Sequence, residues 1–229
     1  MKIEFLYPEL TVYGDTYNIK YLSECSDEIE VIETSIEQTP HFTYEKVDML
    51  YIGSMAESGQ QAALEKLSAY KDKLNELIND GTIILCTGTG GEIFGNYIQK
   101  NDEKIETLGL LDFNVKYDYE NRYHNLYLGR FEDIDVIGFK CQHSHIYDSK
   151  EDGLFETVKG MGNNRQDKKE GIRKNNFMYT KLLGPLFIYC PPLVLKFMEM
   201  LNVKGDLIFK EDVLESYEHK MSDYKETDF

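Results

Sequence analysis

The sequence predicts a three-layer α/β/α fold with a mainly parallel sheet, and two observations lead to this prediction. The first is a set of short apolar segments with the length of strands, at residues 2–7, 28–33, 47–53 and 82–86. The last two are apolar almost throughout, which is typical of parallel strands buried on both faces. The second is residues 60–80, where apolar positions recur at helical spacing and Gly81 follows as a helix stop. This strand-helix-strand unit predicts that its two strands are neighbours in one sheet.

The second half of the chain predicts an antiparallel β-hairpin portion beside the sheet. Its segments are rich in Tyr and β-branched residues, which favour strands, and they are separated by polar, glycine-containing turns. In chain order, the predicted segments are a short helix at 91–99, hairpin-linked strands at 114–119, 122–130 and 136–140, a loop at 159–174, an apolar strand or turn at 178–189 and a core helix at 191–201.

Length and charge limit the domain organisation and the partners. A chain of 229 residues that is 41% apolar is expected to fold as one domain over residues 1–204, with an acidic helix and tail over 205–229. The net charge of −16 repels nucleic acid and anionic membrane surfaces, so we predict neither as a partner. No apolar stretch reaches the roughly 20 residues of a membrane span, and the chain begins directly with a strand. We therefore expect a cytoplasmic protein.

The four cysteines are widely separated and form no Cys-x-x-Cys pair, which argues against a structural zinc site and a disulfide scaffold. We expect reduced thiols, no metal site and no cofactor. The cysteines are Cys25, Cys86, Cys141 and Cys190.

The most informative stretch is residues 81–95, which read Gly-Thr-Ile-Ile-Leu-Cys-Thr-Gly-Thr-Gly-Gly-Glu-Ile-Phe-Gly. An apolar strand here runs into a glycine-rich turn that is predicted to open a helix. Such a corner raises one side chain above the carboxyl edge of a parallel sheet and directs backbone N–H groups at whatever docks there. This is the architecture of a nucleophile elbow.

Several short motifs accompany the elbow: Leu6-Tyr7-Pro8-Glu9-Leu10, Tyr13-Gly14-Asp15, Tyr51-Ile52-Gly53, Leu108-Gly109-Leu110-Leu111-Asp112, Gly160-Met161-Gly162-Asn163-Asn164 and Leu182-Leu183-Gly184-Pro185-Leu186. Their order resembles that of class I glutamine amidotransferase domains of the CobB/CobQ type, most closely the GatD-like amidotransferase subunits of lipid II isoglutaminyl synthases. The resemblance extends to about Met200. It implies a flavodoxin-like fold and a glutaminase site with a cysteine nucleophile and a histidine base.

The sequence departs from this family at the positions that carry out glutamine hydrolysis. The spacing of Gly81 and Gly95 matches the family's elbow and assigns the nucleophile position to Gly88. The family's histidine directly precedes a Gly-Pro pair, and here that position is Leu183. The segment that supplies oxyanion donors in the family has become Gly53-Ser54-Met55-Ala56-Glu57.

Glutamine hydrolysis needs a thiolate, a base and oxyanion donors, and all three positions are altered. We therefore expect a protein that has lost glutaminase activity and acts as a binding or partner subunit. The resemblance implies a ligase-like partner, such as a Mur-ligase-like protein, and a small carboxylate or amide ligand.

An active enzyme remains the alternative, in which Cys86 is a displaced nucleophile and ammonia is supplied for a cell-wall or cobalamin precursor. Cys86 equally fits a small core residue at a strand end. His143 is a candidate base or an inherited loop residue, and Arg122 is a candidate carboxylate ligand or a surface residue. The turn around Gly90 offers backbone N–H groups to an anion. The candidate ligand-binding residues are Gly53, Ser54, Gly90, Arg122 and His143.

Overall fold

The structure, a computed structural model, describes residues 1–228. Its strands are β1 (Lys2–Leu6), β2 (Glu30–Thr34), β3 (Met49–Ile52), β4 (Ile83–Thr87), β5 (Tyr97–Lys100), β6 (Glu103–Glu106), β7 (Asn114–Tyr117), β8 (Tyr123–Phe131), β9 (Ile134–Gln142), β10 (Ser144–Tyr147), β11 (Phe155–Lys159), β12 (Lys169–Glu170), β13 (Ile172–Lys174) and β14 (Phe177–Thr180). The α-helices are α1 (Thr16–Glu24), α2 (Glu57–Ser68), α3 (Lys71–Asp80), α4 (Leu186–Tyr189), α5 (Pro191–Leu201) and α6 (Lys210–Glu226). Short 3-10 helices cover Pro8–Leu10, His41–Thr43 and Gly88–Phe94.

A six-stranded sheet forms the centre of the fold, in the order β13-β14-β4-β3-β1-β2. All neighbouring strands in it are parallel except β13, which runs antiparallel to β14. In the pairing of β3 with β4, Met49 lies opposite Ile83 and Ile52 lies opposite Cys86. The predicted adjacency of the two central strands is therefore confirmed.

Helices cover both faces of this sheet, because successive side chains of each buried strand point to opposite faces. Tyr51 and Leu85 pack into an apolar cluster with residues of α1, α4, α5 and α6. Leu50, Ile84 and Cys86 pack into a second cluster with residues of α2 and α3. The three-layer α/β/α architecture is thus confirmed.

Two antiparallel or mixed sheets are attached to this core. One has the order β10-β7-β5-β6 and the other has the order β12-β11-β8-β9. Strands β8 and β9 form a long antiparallel hairpin, so the predicted hairpin portion is confirmed. Helix α6 packs onto the apolar cluster of α5 through Met221, and Leu207 joins the same cluster. No helix within residues 1–228 is long and apolar enough to cross a bilayer.

The structure corrects two predicted helices. The helix predicted at 60–80 is two helices, because the chain breaks at Ala69 and Tyr70, where Tyr70 adopts non-helical angles and packs its ring on Phe42. The helix predicted at 91–99 is absent: the elbow continues as a 3-10 helix and then as strand β5. Glycine is a poor helix former, and Gly90 and Gly91 are pressed against neighbouring groups.

The segments on either side of β14 also differ from the prediction. The predicted loop at 159–174 contains β12 and β13, which pair with β11 and β14. The apolar segment at 178–189 divides into β14 and the short helix α4. These short elements are set by tertiary pairing and are weak in local sequence pattern.

Candidate functional site

A cavity of about 250 Å³ opens at the carboxyl edge of the central sheet, beside the ends of β3, β4 and β14. Parallel α/β sheets bind ligands at this edge, where the loops that follow the strands come together. Its walls mix polar and apolar side chains from both halves of the sequence. The lining residues are Tyr13, Ser54, Met55, Ala56, Glu57, Gly88, Thr89, Tyr117, Arg122, Cys141, Gln142, His143, Ser144, Lys181 and Leu183.

Gly88 lies at the apex of the elbow in the left-handed backbone region, with φ of +53°. A side chain at this position has no room. A Cβ atom built on Gly88 would lie 2.3 Å from Ser54 Oγ and 2.9 Å from Leu183 Cδ2. The structure therefore brings Gly88, Leu183 and Ser54 together, and the two side chains fill the space above the glycine.

The buried Asp15 carboxylate fixes these three segments relative to one another. Its Oδ2 accepts hydrogen bonds from Ser54 N at 2.9 Å and Thr87 Oγ1 at 2.5 Å, and its Oδ1 accepts one from Gly184 N at 2.8 Å. Burial raises the pKa of Asp15 to about 6, because loss of water outweighs the three hydrogen bonds that favour its charged form.

The backbone N–H groups around Gly88 already have acceptors inside the protein. Ser54 N donates to Asp15, and Met55 N donates to Thr89 Oγ1 at 2.8 Å. Thr89 N makes a longer contact of 3.5 Å with Ser54 Oγ. Thr89 also donates its hydroxyl to Met55 O, so the segment after β3 is tied to the elbow. An oxyanion hole needs donors that point at the substrate oxygen, and these three donors point to protein atoms.

Lys181, which lines the cavity, forms a buried ion pair with Glu92. Glu92 is fully buried and Lys181 is 2% exposed, and Lys181 Nζ lies 2.5 Å from Glu92 Oε1. Ser144 Oγ donates to the same carboxylate oxygen and accepts from Lys181 Nζ, both at 2.5 Å. Gln60 Nε2 and Tyr117 OH donate to Glu92 Oε2 at 2.8 and 3.1 Å. Four donors thus satisfy this carboxylate, and the pair is neutral overall.

Cys86 lies away from the cavity. Its side chain is fully buried in the apolar cluster of α2 and α3, on the side of the sheet opposite Leu85. Burial raises the pKa of the Cys86 thiol well above its usual value. A thiol that stays protonated in an apolar layer is a poor nucleophile. The position of Cys86 therefore gives no support to its candidacy as a displaced nucleophile.

The other candidates divide between the cavity wall and the packing beneath it. Arg122 and His143 line the cavity, and Arg122 Nη2 lies 2.6 Å from Cys141 Sγ. His143 stacks its ring near Tyr119. Gly53 and Gly90 lie under the elbow, where a Cβ on either would meet a neighbouring residue at 2.4 or 2.3 Å. Ser54, Arg122 and His143 therefore line the cavity, with Ser54 only 1% exposed, whereas the two glycines are closely packed.

Lys181, Gln142 and Ser144 line the cavity and were not among the residues predicted from the sequence, and neither was Glu92, the partner of Lys181. The available signal was a lone charge in an otherwise uncharged segment, since Glu92 is the one charge in residues 81–99 and Lys181 is the one charge in residues 175–195. No cluster of His, Cys, Asp or Glu suited to a metal occurs in residues 1–228.

Comparisons with known proteins agree with the motif resemblance. Residues 3–185 match the model of the CobB/CobQ-like glutamine amidotransferase domain. The chain is 30% identical over 185 residues to the lipid II isoglutaminyl synthase (glutamine-hydrolyzing) subunit GatD of Staphylococcus aureus, covering 80% of this chain and 76% of that one. It is 25% identical over 194 residues to the subunit of the same name in Streptococcus pneumoniae, covering 81% and 74%.

Solved structures show the same fold at low identity. A glutamine amidotransferase crystal structure aligns with a TM-score of 0.60 at 16% identity, over 88% of this chain and 99% of that chain. The PurLQS structure from Thermotoga maritima aligns with a TM-score of 0.58 at 11% identity, over 96% and 98%.

Proposed function

Because this chain belongs to the CobB/CobQ-like glutamine amidotransferase family, we propose that it is a member that has lost glutaminase activity and acts as a binding or partner subunit. The observation that carries this proposal is the packing at Gly88. The position assigned to the nucleophile has no side chain, and Ser54 and Leu183 occupy the space a thiol would need.

Each chemical requirement of glutamine hydrolysis is missing near Gly88. A thiolate must attack the amide carbon, and Gly88 offers none. A base must take the thiol proton and then protonate ammonia, and leucine at 183 cannot exchange protons. The neighbouring backbone donors at Ser54 and Met55 are bonded within the protein. Three defects in one cavity support loss of turnover more strongly than any single substitution.

The proposed role is to hold a ligand or a partner with the retained fold. The relatives in Staphylococcus aureus and Streptococcus pneumoniae are named as subunits of a synthase, which supports a ligase-like partner for this chain. The net charge of −16 favours a partner with a basic contact surface. A small carboxylate or amide is the proposed ligand, since the cavity is lined by Arg122, His143 and Lys181.

The test is release of ammonia from glutamine by the purified protein, with the Staphylococcus aureus subunit in its complex as the positive control for the assay. Cys86→Ser and Cys141→Ser are measured alongside, because Cys141 is the cysteine that lines the cavity. We expect all three forms of this protein to remain at background. Ammonia release by the wild type that either serine variant abolishes would overturn the proposal and identify the nucleophile.

A further inference from the structure

Strand β2 is an open edge of the central sheet. It is the last strand in the order β13-β14-β4-β3-β1-β2, and within residues 1–228 no strand pairs with its outer side. Glu30 N donates to Met1 O at 2.9 Å at the start of the ladder, and the parallel register then turns every second residue of β2 toward β1. Val31 and Glu33 therefore turn their backbone N–H and C=O groups outward, where no described residue bonds to them. These groups are available to an added strand.

A groove of about 520 Å³ lies beside this edge and is lined by residues of α1, β1 and β2. Apolar side chains contribute to its lining through Phe5, Ile19 and Val31, together with Tyr17, which is 52% exposed. Successive side chains of a strand point to opposite faces, so a strand added beside β2 would place every second side chain on the face that carries Val31. An apolar side chain there would cover apolar surface of the groove, in addition to the bonds made by the main chain.

The chain around this edge is strongly acidic. Residues 24–37 contain six acidic residues and no Lys, Arg or His. All six are exposed, and none forms a salt bridge within residues 1–228. The groove adds one basic residue, Lys20, so the surface stays negative. A second copy of the chain would bring the same six carboxylates to the edge, and like charges on an edge strand oppose such pairing. The edge therefore favours an occupant of opposite charge.

We propose that β2 and the groove beside it form a docking surface for an extended, basic segment of a partner protein, which adds to the edge of the sheet as a further strand. Within β2, Glu30 and Glu33 flank the apolar pair Val31 and Ile32. A segment in which two basic residues flank two apolar residues sets each base opposite a carboxylate, in either strand direction. This docking surface goes beyond the proposed function. None of the groove residues lines the cavity, and docking here does not depend on whether glutamine is hydrolysed.

The experiment is an NMR titration of the full chain with three capped peptides. The first, Thr-Lys-Val-Ile-Lys-Thr, has the proposed pattern of charge. The second, Thr-Glu-Val-Ile-Glu-Thr, reverses the charge at the same length. The third keeps the lysines but carries methyl groups on its backbone nitrogens, which removes its donors and blocks strand addition. We expect saturable binding of the first peptide and at least roughly tenfold weaker binding of either control, from the loss of the charge pairs or of the main-chain hydrogen bonds.

Amide hydrogen exchange distinguishes strand addition from general attraction to an acidic surface. At saturation with the basic peptide, the amides of Val31 and Glu33 should exchange at least roughly tenfold more slowly, because they become donors to the peptide backbone. The amides of Glu30 and Ile32 already face β1, so their exchange should change less.

Variants assign the binding to β2. Glu30→Lys together with Glu33→Lys reverses the charge of the strand, so it should weaken the basic peptide by at least roughly tenfold and make the acidic peptide the tighter ligand. The matched control is Glu103→Lys together with Glu106→Lys, which makes the same change of net charge at exposed positions of β6. This control should still prefer the basic peptide.

The docking surface is overturned if the basic peptide does not saturate, if the methylated peptide binds equally well, or if exchange at Val31 and Glu33 is unchanged at saturation. Equal losses of affinity in the β2 and β6 variants would also overturn it, because net charge alone would then explain the binding. Sedimentation of the free chain tests the remaining occupant. A dimer in which the same two amides are protected would make a second copy the strand that covers β2 and would overturn the basic segment.

Discussion

At the scale of single residues, the elbow shows which features of the site can be predicted from the sequence and which cannot. The glycine spacing located Gly88, and its left-handed φ fits the sharp turn that the pattern predicted. The contacts above it were not predictable, because Ser54 and Leu183 come from strand ends far away in sequence. Gln142 and Lys181 were missed for the same reason, because only the fold brings these two residues to the cavity wall.

The first prediction concerns the space above Gly88. Gly88→Cys should lower the free energy of unfolding by about 2–4 kcal/mol, from the left-handed backbone and the contact with Ser54. Ser54→Gly should make the same substitution less costly by at least about 1 kcal/mol. Urea denaturation of the four forms measures this coupling.

The control variant Gly109→Cys separates the cost of the left-handed backbone from the cost of the contact with Ser54. Gly109 has φ of +59°, but a Cβ there would come no closer than 3.8 Å to another residue. Gly109→Cys should therefore lower the free energy of unfolding only by the cost of placing a side chain on a left-handed backbone. Equal losses for Gly88→Cys and Gly109→Cys, with no coupling to Ser54, would show that the space above Gly88 is open.

The second prediction follows from the raised pKa of Asp15. The folded protein keeps a proton on Asp15 up to about pH 6, whereas the unfolded chain releases it near the usual value of 3.8. The raised pKa of Asp15 therefore contributes stability to the folded protein that is fully present below pH 4 and is lost as pH rises through 6. Between pH 4 and pH 7, the free energy of unfolding of the wild type should fall by about 3 kcal/mol relative to that of Asp15→Asn.

Chemical denaturation at several pH values measures this difference. A control with the exposed Asp27→Asn should follow the wild type in parallel. A raised pKa of Asp15 is contradicted if the stability of Asp15→Asn also runs parallel to that of the wild type, or if the Asp15 carboxyl carbon titrates near pH 4 by NMR.

At the scale of elements, the strongly patterned segments were predictable and the short ones were not. The buried strands β3 and β4 and the hairpin of β8 and β9 follow from apolar and β-branched runs. The break between α2 and α3 depends on packing of Tyr70 on Phe42, which local propensity cannot show. The elbow takes 3-10 geometry because close packing of its glycines overrides the predicted helix.

The third prediction concerns the ion pair that joins the elbow to the end of β14. Lys181→Met should lower the free energy of unfolding by about 3–5 kcal/mol, because Glu92 is left as a lone buried charge. Adding Glu92→Gln should recover most of that loss, since the remaining groups are neutral. A thermodynamic cycle from urea denaturation gives the coupling. Additive losses in the double variant would mean that the two charges do not act as a pair.

At the scale of the whole molecule, the fold gathers three distant positions at one edge of the sheet. Ser54 follows β3, Gly88 follows β4 and Leu183 follows β14. Asp15, which directly precedes α1, accepts hydrogen bonds from all three segments. The family's fold is therefore retained, and the proposed loss of activity concerns only the side chains at these positions. The proposed loss of glutaminase activity is confined to these positions, so substitutions at them alone should restore some activity.

The fourth prediction is that the triple variant Ser54→Gly, Gly88→Cys and Leu183→His gains glutamine-dependent ammonia release, at least roughly tenfold above the wild-type background. A nucleophile and a base act as a unit, each contributing several orders of magnitude, so either one alone should stay at background. Leu183 Cδ2 lies 2.9 Å from a Cβ built on Gly88, which places an imidazole at 183 within reach of a thiol at 88. Removing the Ser54 side chain makes room for that thiol. Initial rates for the triple variant and each double variant, at matched folded fractions, measure the effect. A stable triple variant that stays at background would show that these three positions do not account for the missing chemistry.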